Sequence, residues 1–356
     1  MDKPEELAVK TIETTSLGQM GPTPARRKTF SISPEKLVNF DFLPMHGSLP
    51  LVITPAVEAV DLAAWCSANR EHVRDLLLRH RAILFRNFNV VTPAAFNRVI
   101  QATSSGELLE YRDRSSPRHE VQDKIYTSTD YPAEQSIFLH NEGTYWMKWP
   151  QKIYFCCAIP PAEGGQTPIA DTRAVYRHID PEIIDRFTEV MYVRNYNDGF
   201  GLTWETVFQT TDRNVVEEYC RENQIAYEWK DGNRLRTRAV RPTVARHPQT
   251  GEPVWFNHAA FFHVTTLERS IRDALLAEFK EEDLPYNTYY GDGSPIEPAV
   301  LEVLRAAYQQ EKIFFSWQKG DVMMLDNMSV AHGRNPYVGD RKVLAGMAEP
   351  ISRSAC

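Results

Sequence analysis

The chain lacks three features that would each have indicated a class of protein at once. It has no stretch of about 18 apolar residues, so no transmembrane helix is expected. Its five cysteines are odd in number and show no CxxC spacing, which favours reduced thiols over a disulfide framework or a zinc ribbon. The first residues lack the basic start and the apolar run of a secretory signal. A cytoplasmic location is therefore expected.

Positive charge is not in excess, because acidic residues outnumber basic ones, 47 to 40. The formal net charge is −7, and the basic residues are dispersed along the chain rather than clustered. This balance argues against a nucleic-acid partner. The one basic run, Arg26-Arg27-Lys28, lies at the end of a segment with few large apolar groups. We therefore predict a flexible N-terminal segment over residues 1–28 and a single folded domain over residues 29–356, which could assemble as a homo-oligomer.

The chain does contain enough apolar material for a large core, with 42% hydrophobic and 11% aromatic residues. Its hydrophobic pattern alternates between helical and extended periods. The pattern predicts helices at 57–80, 94–103, 271–281 and 298–310, a helical insert at 180–227, and strands at 82–85, 152–158, 254–256, 321–326 and 342–347. No internal repeat or low-complexity segment interrupts them. The economical interpretation is a β core with helices packed outside.

One short motif carries chemistry. His140 and Glu142 are two residues apart, a spacing that puts both side chains on the same side of an extended strand. They follow an apolar run and precede Gly143, as at a strand end that opens into a loop. His332, far along the chain, is placed to supply a third ligand. Two imidazoles and one carboxylate on one face are the ligand set of non-haem Fe(II) oxygenases.

A second His-x-acid triplet, His178 and Asp180, has a structural interpretation. Asp180 precedes Pro181 and Glu182, and this order is typical of a helix N-cap, a first helical position and a first-turn acid. We therefore predict that this triplet begins a helix and binds no metal. The motif at His140 has no such capping context.

Three blocks of sequence resemble the TauD/TfdA, clavaminate synthase-like family of Fe(II)- and 2-oxoglutarate-dependent dioxygenases. The blocks are Phe138-Leu139-His140-Asn141-Glu142, Gly164-Gly165-Gln166-Thr167-Pro168, and the segment from Leu325 through His332 to Leu344. The resemblance runs over residues 82–350. It implies a fold that is mainly β with α, with a double-stranded β-helix (jelly roll) core, flanking helices and a helical insert. It also implies that the chain uses Fe(II), 2-oxoglutarate and O2.

The same resemblance implies site roles. His140, Glu142 and His332 would be the catalytic metal ligands, Thr167 would donate to the distal carboxylate of 2-oxoglutarate, and Arg341 would clamp that carboxylate. The residue types suit these roles, because a guanidinium offers a planar fork and keeps its charge at working pH. The apolar residues that follow Arg341 predict a strand that can bury the ion pair.

The sequence gives less direct evidence about the substrate than about the metal and the cosubstrate. Halogenating members of the family lack the carboxylate ligand, so Glu142 favours hydroxylation or a related C–H oxidation. The segments 325–328 and 347–350 resemble the syringomycin-type branch, which implies an amino-acid substrate, free or tethered to a carrier protein. Oxidation of a sulfonate such as taurine is the alternative. A non-catalytic metal-binding module is a second alternative, against which the cosubstrate clamp argues.

Further residues are candidates for the surroundings of the site. Tyr145 follows Glu142 in a loop that we expect to border the site, and Arg334 either binds a substrate carboxylate or staples its own loop. The polar segment 107–131 is predicted to be a mobile lid that contributes cations, namely Arg112, Arg114 and Arg118. Asn257, His258 and His263 could be additional metal ligands, but a supporting or core role is predicted for them because three ligands are already assigned. Trp146, Trp149 and Trp204 could line a substrate pocket, although aromatic side chains lie more often in the core.

Overall fold

The computed structural model describes residues 37–43, 49–105, 108–109, 120–122, 124–127, 131–197, 199 and 201–356. The predicted N-terminal segment 1–28, its basic run, and the three arginines of segment 107–131 lie outside these ranges. Within the ranges, no helix is long and apolar enough to cross a bilayer.

The described residues contain the following strands and helices. The strands are β1 (Val38–Phe42), β2 (Leu51–Pro55), β3 (Ala82–Phe85), β4 (Glu120–Gln122), β5 (Ile125–Thr127), β6 (Ile137–His140), β7 (Lys148–Ile159), β8 (Glu163–Gly164), β9 (Ile169–Asp171), β10 (Glu189–Tyr196), β11 (Ala226–Lys230), β12 (Arg234–Pro242), β13 (Val244–Arg246), β14 (Pro253–Trp255), β15 (Tyr286–Tyr290), β16 (Val322–Asp326), β17 (Val330–Arg334), β18 (Tyr337–Val338) and β19 (Lys342–Ser352). The helices are α1 (Leu62–Ala68), α2 (Arg70–His80), α3 (Pro93–Thr103), α4 (Thr172–His178), α5 (Pro181–Arg186), α6 (Trp204–Phe208), α7 (Arg213–Glu222), α8 (Arg269–Glu278) and α9 (Pro298–Gln310).

Two facing sheets form the jelly roll that the sequence predicted. The larger sheet has the strand order β1-β2-β3-β16-β7-β19-β5-β4, and the smaller has the order β6-β17-β9. Alternation along β7 gives the larger sheet two apolar faces. Tyr154 and Cys156 pack towards helices α1–α3, whereas Phe155 and Cys157 pack towards the interior. The ring of Phe155 lies 5.0 Å from that of His332 on β17, so the two sheets meet across this interior.

The helix predicted over residues 57–80 is two helices. Asp61 caps α1 by accepting a hydrogen bond from the backbone N–H of Ala64. Asn69 then leaves the helical conformation (φ −121°, ψ 27°), and its side-chain amide donates to the Trp65 carbonyl at 2.8 Å. Asparagine competes for backbone hydrogen bonds in this way, which ends α1 before α2 begins. The cap predicted at Asp180 is confirmed at the start of α5, and Thr92 caps α3 in the same way, with Pro93 in the first turn.

The insert is mixed rather than helical. Residues 180–227 contain α5, α6 and α7, as predicted, but β10 and the start of β11 also lie there. These strands join β12 and β15 in a four-stranded antiparallel sheet with the order β11-β12-β10-β15. The insert has its own apolar cluster, in which Trp204 packs edge-on against Trp229 at 5.2 Å. Trp204 therefore belongs to the core of the insert.

Candidate metal and cosubstrate site

His140 and His332 face each other on neighbouring strands. They are register partners in the antiparallel pair β6–β17, and their ring centroids are 4.6 Å apart. Glu142 follows β6 by two residues, and the three side chains offer ligand atoms that all lie within 4.8 Å of one another. All three residues are buried. The structure thus brings together the three residues that the sequence predicted as a ligand set.

The imidazole of His140 is oriented by its surroundings. Its Nδ1 lies 2.8 Å from the Phe138 carbonyl oxygen, so we assign Nδ1 as the protonated nitrogen and Nε2 as the nitrogen with a lone pair to offer. Phe261 stacks on the ring at 4.2 Å between centroids with an interplanar angle of 5°. A backbone acceptor of this kind commonly fixes the tautomer of a metal-binding histidine.

Asn327 holds the turn that carries Glu142. Its side-chain oxygen accepts from the Glu142 N–H at 2.8 Å, and its side-chain nitrogen donates to the Glu142 and Pro150 carbonyls at 2.9 and 2.8 Å. The Asn141 side chain donates to the Asn327 carbonyl at 2.6 Å. The buried amide of Asn327 therefore links the turn that carries His140 and Glu142 to the segment that leads into β17. The sequence motif contains Asn327, but its hydrogen-bonding role could not be read from the sequence.

His258 lies beside the ligands without joining them. Its Nε2 donates to the Asn141 carbonyl at 2.6 Å, between the two ligand residues of the turn. Burial, and secondly the nearby His140, lowers the pKa of His258 well below its usual range, which keeps this donor imidazole neutral. This position agrees with the supporting role predicted for it. His263 lies apart, where its Nδ1 meets the Thr265 hydroxyl at 2.8 Å.

The Gly164-Gly165 block shapes the cosubstrate side. Both glycines have positive φ (68° and 62°), which other residues rarely adopt. A Cβ at Gly165 would lie 2.7 Å from Pro161 Cγ and 3.1 Å from Arg341 Cδ, so only glycine fits there. The Gly165 N–H donates to the Pro336 carbonyl, and the Asn335 N–H donates to the Gln166 carbonyl. Thr167 is thereby held beside the chain segment that follows His332.

Arg341 lies beside Gly165, on the cosubstrate side of the site. Its Nε donates to the Gly165 carbonyl at 3.0 Å, and its guanidinium lies 5.6 Å from the centre of the Tyr337 ring. Burial, and secondly the charge of Arg334, lowers the pKa of Arg341 to about 10. The group is still protonated at neutral pH. An anion bound here would relieve both the desolvation and the repulsion between the two guanidiniums.

Arg334 acts as a staple in this structure. Its Nη atoms donate to the carbonyls of Tyr131, Pro132 and Gln135 at 2.9, 2.5 and 3.0 Å. Of the two interpretations left open by the sequence, these contacts favour loop fixation over a substrate carboxylate. Tyr145 is buried, and its ring centroid lies 5.7 Å from that of His258. It therefore borders the residues that support the ligands.

The donor set fits iron. Two imidazole nitrogens from neighbouring strands and one carboxylate from the turn after β6 match the ligand types that non-haem Fe(II) requires. The jelly roll and this site together define the class of Fe(II)- and 2-oxoglutarate-dependent dioxygenases, which use Fe(II), 2-oxoglutarate and O2. The chain belongs to the family described as taurine catabolism dioxygenase TauD, TfdA family, whose model matches residues 48–348.

Relatives and solved structures resemble nearly the whole chain. The dapdiamide synthesis protein DdaC of Enterobacter agglomerans is 38% identical over 319 residues, which are 89% of this chain and 97% of DdaC. A clavaminate synthase-like protein of Arabidopsis thaliana is 28% identical over 86% of this chain and 92% of its own. PvcB of Pseudomonas aeruginosa, an Fe, alpha-ketoglutarate dependent oxygenase from an isonitrile synthetic pathway, shares the fold with a TM-score of 0.53, 16% identity, and coverage of 92% of this chain and 98% of PvcB.

Proposed function

We propose that this dioxygenase hydroxylates an amino acid, free or tethered to a carrier protein, during the synthesis of a natural product. The observation that carries the proposal is the similarity to the dapdiamide synthesis protein, which extends over 97% of that relative at 38% identity. A likeness of this extent includes the site region as well as the fold. The fold neighbour from an isonitrile synthetic pathway points in the same direction.

In this proposal His140, Glu142 and His332 hold Fe(II) on one face. The imidazole of His140 presents Nε2, because Nδ1 is engaged by the Phe138 carbonyl. Asn327 fixes the peptide of Glu142 so that the carboxylate projects towards the two histidines. Bound Fe(II) would supply the activation of O2 that oxidation of an unactivated C–H bond requires.

Thr167 and Arg341 hold the far carboxylate of 2-oxoglutarate. The Arg341 guanidinium supplies the charge, and the Thr167 hydroxyl supplies a second hydrogen bond from the segment between β8 and β9. Thr167 is buried, and the half-buried Arg341 donates to the Gly165 carbonyl, so water competes less for the carboxylate here than at an exposed site. Because Glu142 fills the third protein position, that position is closed to a halide, and hydroxylation is favoured over halogenation.

An amino-acid substrate needs counter-charges for its ionic groups. With Arg334 engaged on backbone carbonyls, the cations of segment 107–131 are the next candidates, namely Arg112, Arg114 and Arg118. Residues 120–122 and 125–127 of that segment form β4 and β5 of the larger sheet, with Ile125 and Tyr126 buried, so this part is not the mobile lid that the sequence predicted. The three arginines themselves lie outside the described residues.

A substrate screen tests the proposal. The Fe(II)-loaded enzyme is incubated with 2-oxoglutarate, O2 and a panel of amino acids, each offered free and as an aminoacyl carrier protein. Succinate and the mass of the acceptor are measured together. We expect one acceptor to gain a single oxygen atom in step with succinate, and Glu142→Ala to form neither product. Release of sulfite from taurine, far faster than any amino-acid turnover, would refute the substrate assignment and leave the dioxygenase assignment intact.

A further inference from the structure

The Thr167 hydroxyl has a donor aimed at it from the chain segment that precedes β16. The indole Nε1 of Trp317 lies 3.1 Å from Thr167 Oγ1. Both residues are buried. An indole N–H donates and never accepts, whereas a hydroxyl has one hydrogen and two lone pairs. Trp317 therefore occupies a lone pair of Thr167, and the hydroxyl hydrogen must point elsewhere.

The segment that carries Trp317 is fixed on both sides. The Ser316 carbonyl accepts from Arg86 Nη2 at 2.9 Å, and the Gln318 N–H donates to Asp321 Oδ2 at 2.8 Å. Arg86 and Asp321 form an ion pair at 2.7 Å, with the Asp321 side chain fully buried. The indole also packs against Phe315 at 5.1 Å. The donor is thus rigid before any ligand arrives.

We infer that Trp317 is a positioning residue for 2-oxoglutarate: it turns the Thr167 hydroxyl so that its hydrogen is presented to the distal carboxylate. The inference rests on the proposed role of Thr167 and goes beyond it. A hydroxyl that accepts one hydrogen bond also becomes a better donor in the next, because consecutive hydrogen bonds polarise one another. An unconstrained hydroxyl would have to give up rotational freedom on binding.

Cosubstrate affinity measures this effect without turnover. The dissociation constant of 2-oxoglutarate is determined by calorimetry on Mn(II)-loaded wild type, Trp317→Phe, Thr167→Val and the double variant. We expect Trp317→Phe to weaken binding about three- to tenfold, the scale of one net hydrogen bond. In the Thr167→Val background the same substitution should weaken binding no further, because its target is gone.

Two controls separate positioning from packing. The first is 2-oxopentanoate, which has a methyl group in place of the distal carboxylate; its affinity should be the same in wild type and Trp317→Phe. The second is Mn(II) affinity, which should also be unchanged. The inference is overturned if Trp317→Phe binds 2-oxoglutarate as tightly as wild type, or if the two substitutions weaken binding additively in the double variant. It is also overturned if Trp317→Phe binds 2-oxopentanoate more weakly by the same factor as 2-oxoglutarate. Wild-type affinity in Thr167→Val would instead refute the clamp itself.

Discussion

The two ends of the candidate site are built differently. At the metal end, His140 and His332 are register partners on adjacent strands, and Asn327 holds the peptide of Glu142 by its backbone groups. At the cosubstrate end, side chains from distant parts of the chain converge. Trp317 reaches Thr167, and Arg341 reaches Gly165.

The metal end depends on backbone geometry, whereas the cosubstrate end depends on side-chain packing. A strand pair sets the separation of two histidines as soon as its register is set. A hydroxyl and a guanidinium acquire their directions only after the surrounding side chains have packed. The two ends should therefore respond separately to substitution, and the following predictions test that separation.

The largest effect is expected at the metal end. His140→Ala should abolish Fe(II) binding and turnover together, because the facial set loses one of three protein ligands. The matched control is His178→Ala, which removes the histidine of the other His-x-acid triplet and its contact with Glu311. Anaerobic iron titration and succinate formation measure both outcomes. Iron loss in the His178 variant would contradict the ligand assignment.

The next effect is expected at the cosubstrate end. Arg341→Ala should weaken 2-oxoglutarate binding by about 30-fold or more, since a lost charge-assisted pair in a partly buried site costs about 2–5 kcal/mol. Arg341→Lys keeps the positive charge but loses the planar guanidinium fork. Its affinity for 2-oxoglutarate should lie between those of wild type and Arg341→Ala. Fe(II) affinity should stay at the wild-type value. Saturation of the alanine variant at wild-type 2-oxoglutarate concentrations would exclude Arg341 as the clamp.

A smaller effect on iron is expected from Asn327→Ala. Loss of an amide that orients a ligand typically lowers metal affinity about 10- to 100-fold. Asn335→Ala is the matched control, because its amide donates to Gln166 Oε1 at 3.0 Å on the cosubstrate side. Competition with a chelator of known iron affinity compares the two variants. Equal iron affinity in both variants would mean that Asn327 does not support Glu142.

The smallest effect on either ligand is expected from the insert. Val207 is fully buried in the insert cluster. Val207→Ala should lower the free energy of unfolding by about 1–3 kcal/mol through the cavity it leaves. The affinities for Fe(II) and 2-oxoglutarate should not change. Denaturant unfolding and ligand titration on the same variant measure this, and a parallel loss of iron affinity would show that the insert supports the metal end.

The metal end was predictable because its signal is local. His140 and Glu142 share a strand side through their spacing, and the apolar run before them marks the strand. The caps Thr92 and Asp180 were predictable for the same reason. The break at Asn69 was missed because the apolar spacing continues through it, although its side chain ends α1.

The cosubstrate end and the insert sheet depend on distant pairs. Trp317 and Thr167 are 150 residues apart, and Arg341 and Gly165 are 176 residues apart. No periodicity reports such contacts. In the insert, β10 likewise acquires its partners β12 and β15 only across long connections, so the sequence pattern there revealed the helices and missed the sheet.

The central claim is that the metal end is complete without the cosubstrate end. Its most direct test is the number of Fe(II) ions bound per chain in anaerobic equilibrium dialysis, for wild type, His332→Ala and Arg341→Ala without 2-oxoglutarate. We predict one ion in wild type and in the Arg341 variant, and none in the His332 variant. One ion bound with wild-type affinity to His332→Ala, or none bound to Arg341→Ala, would contradict the account.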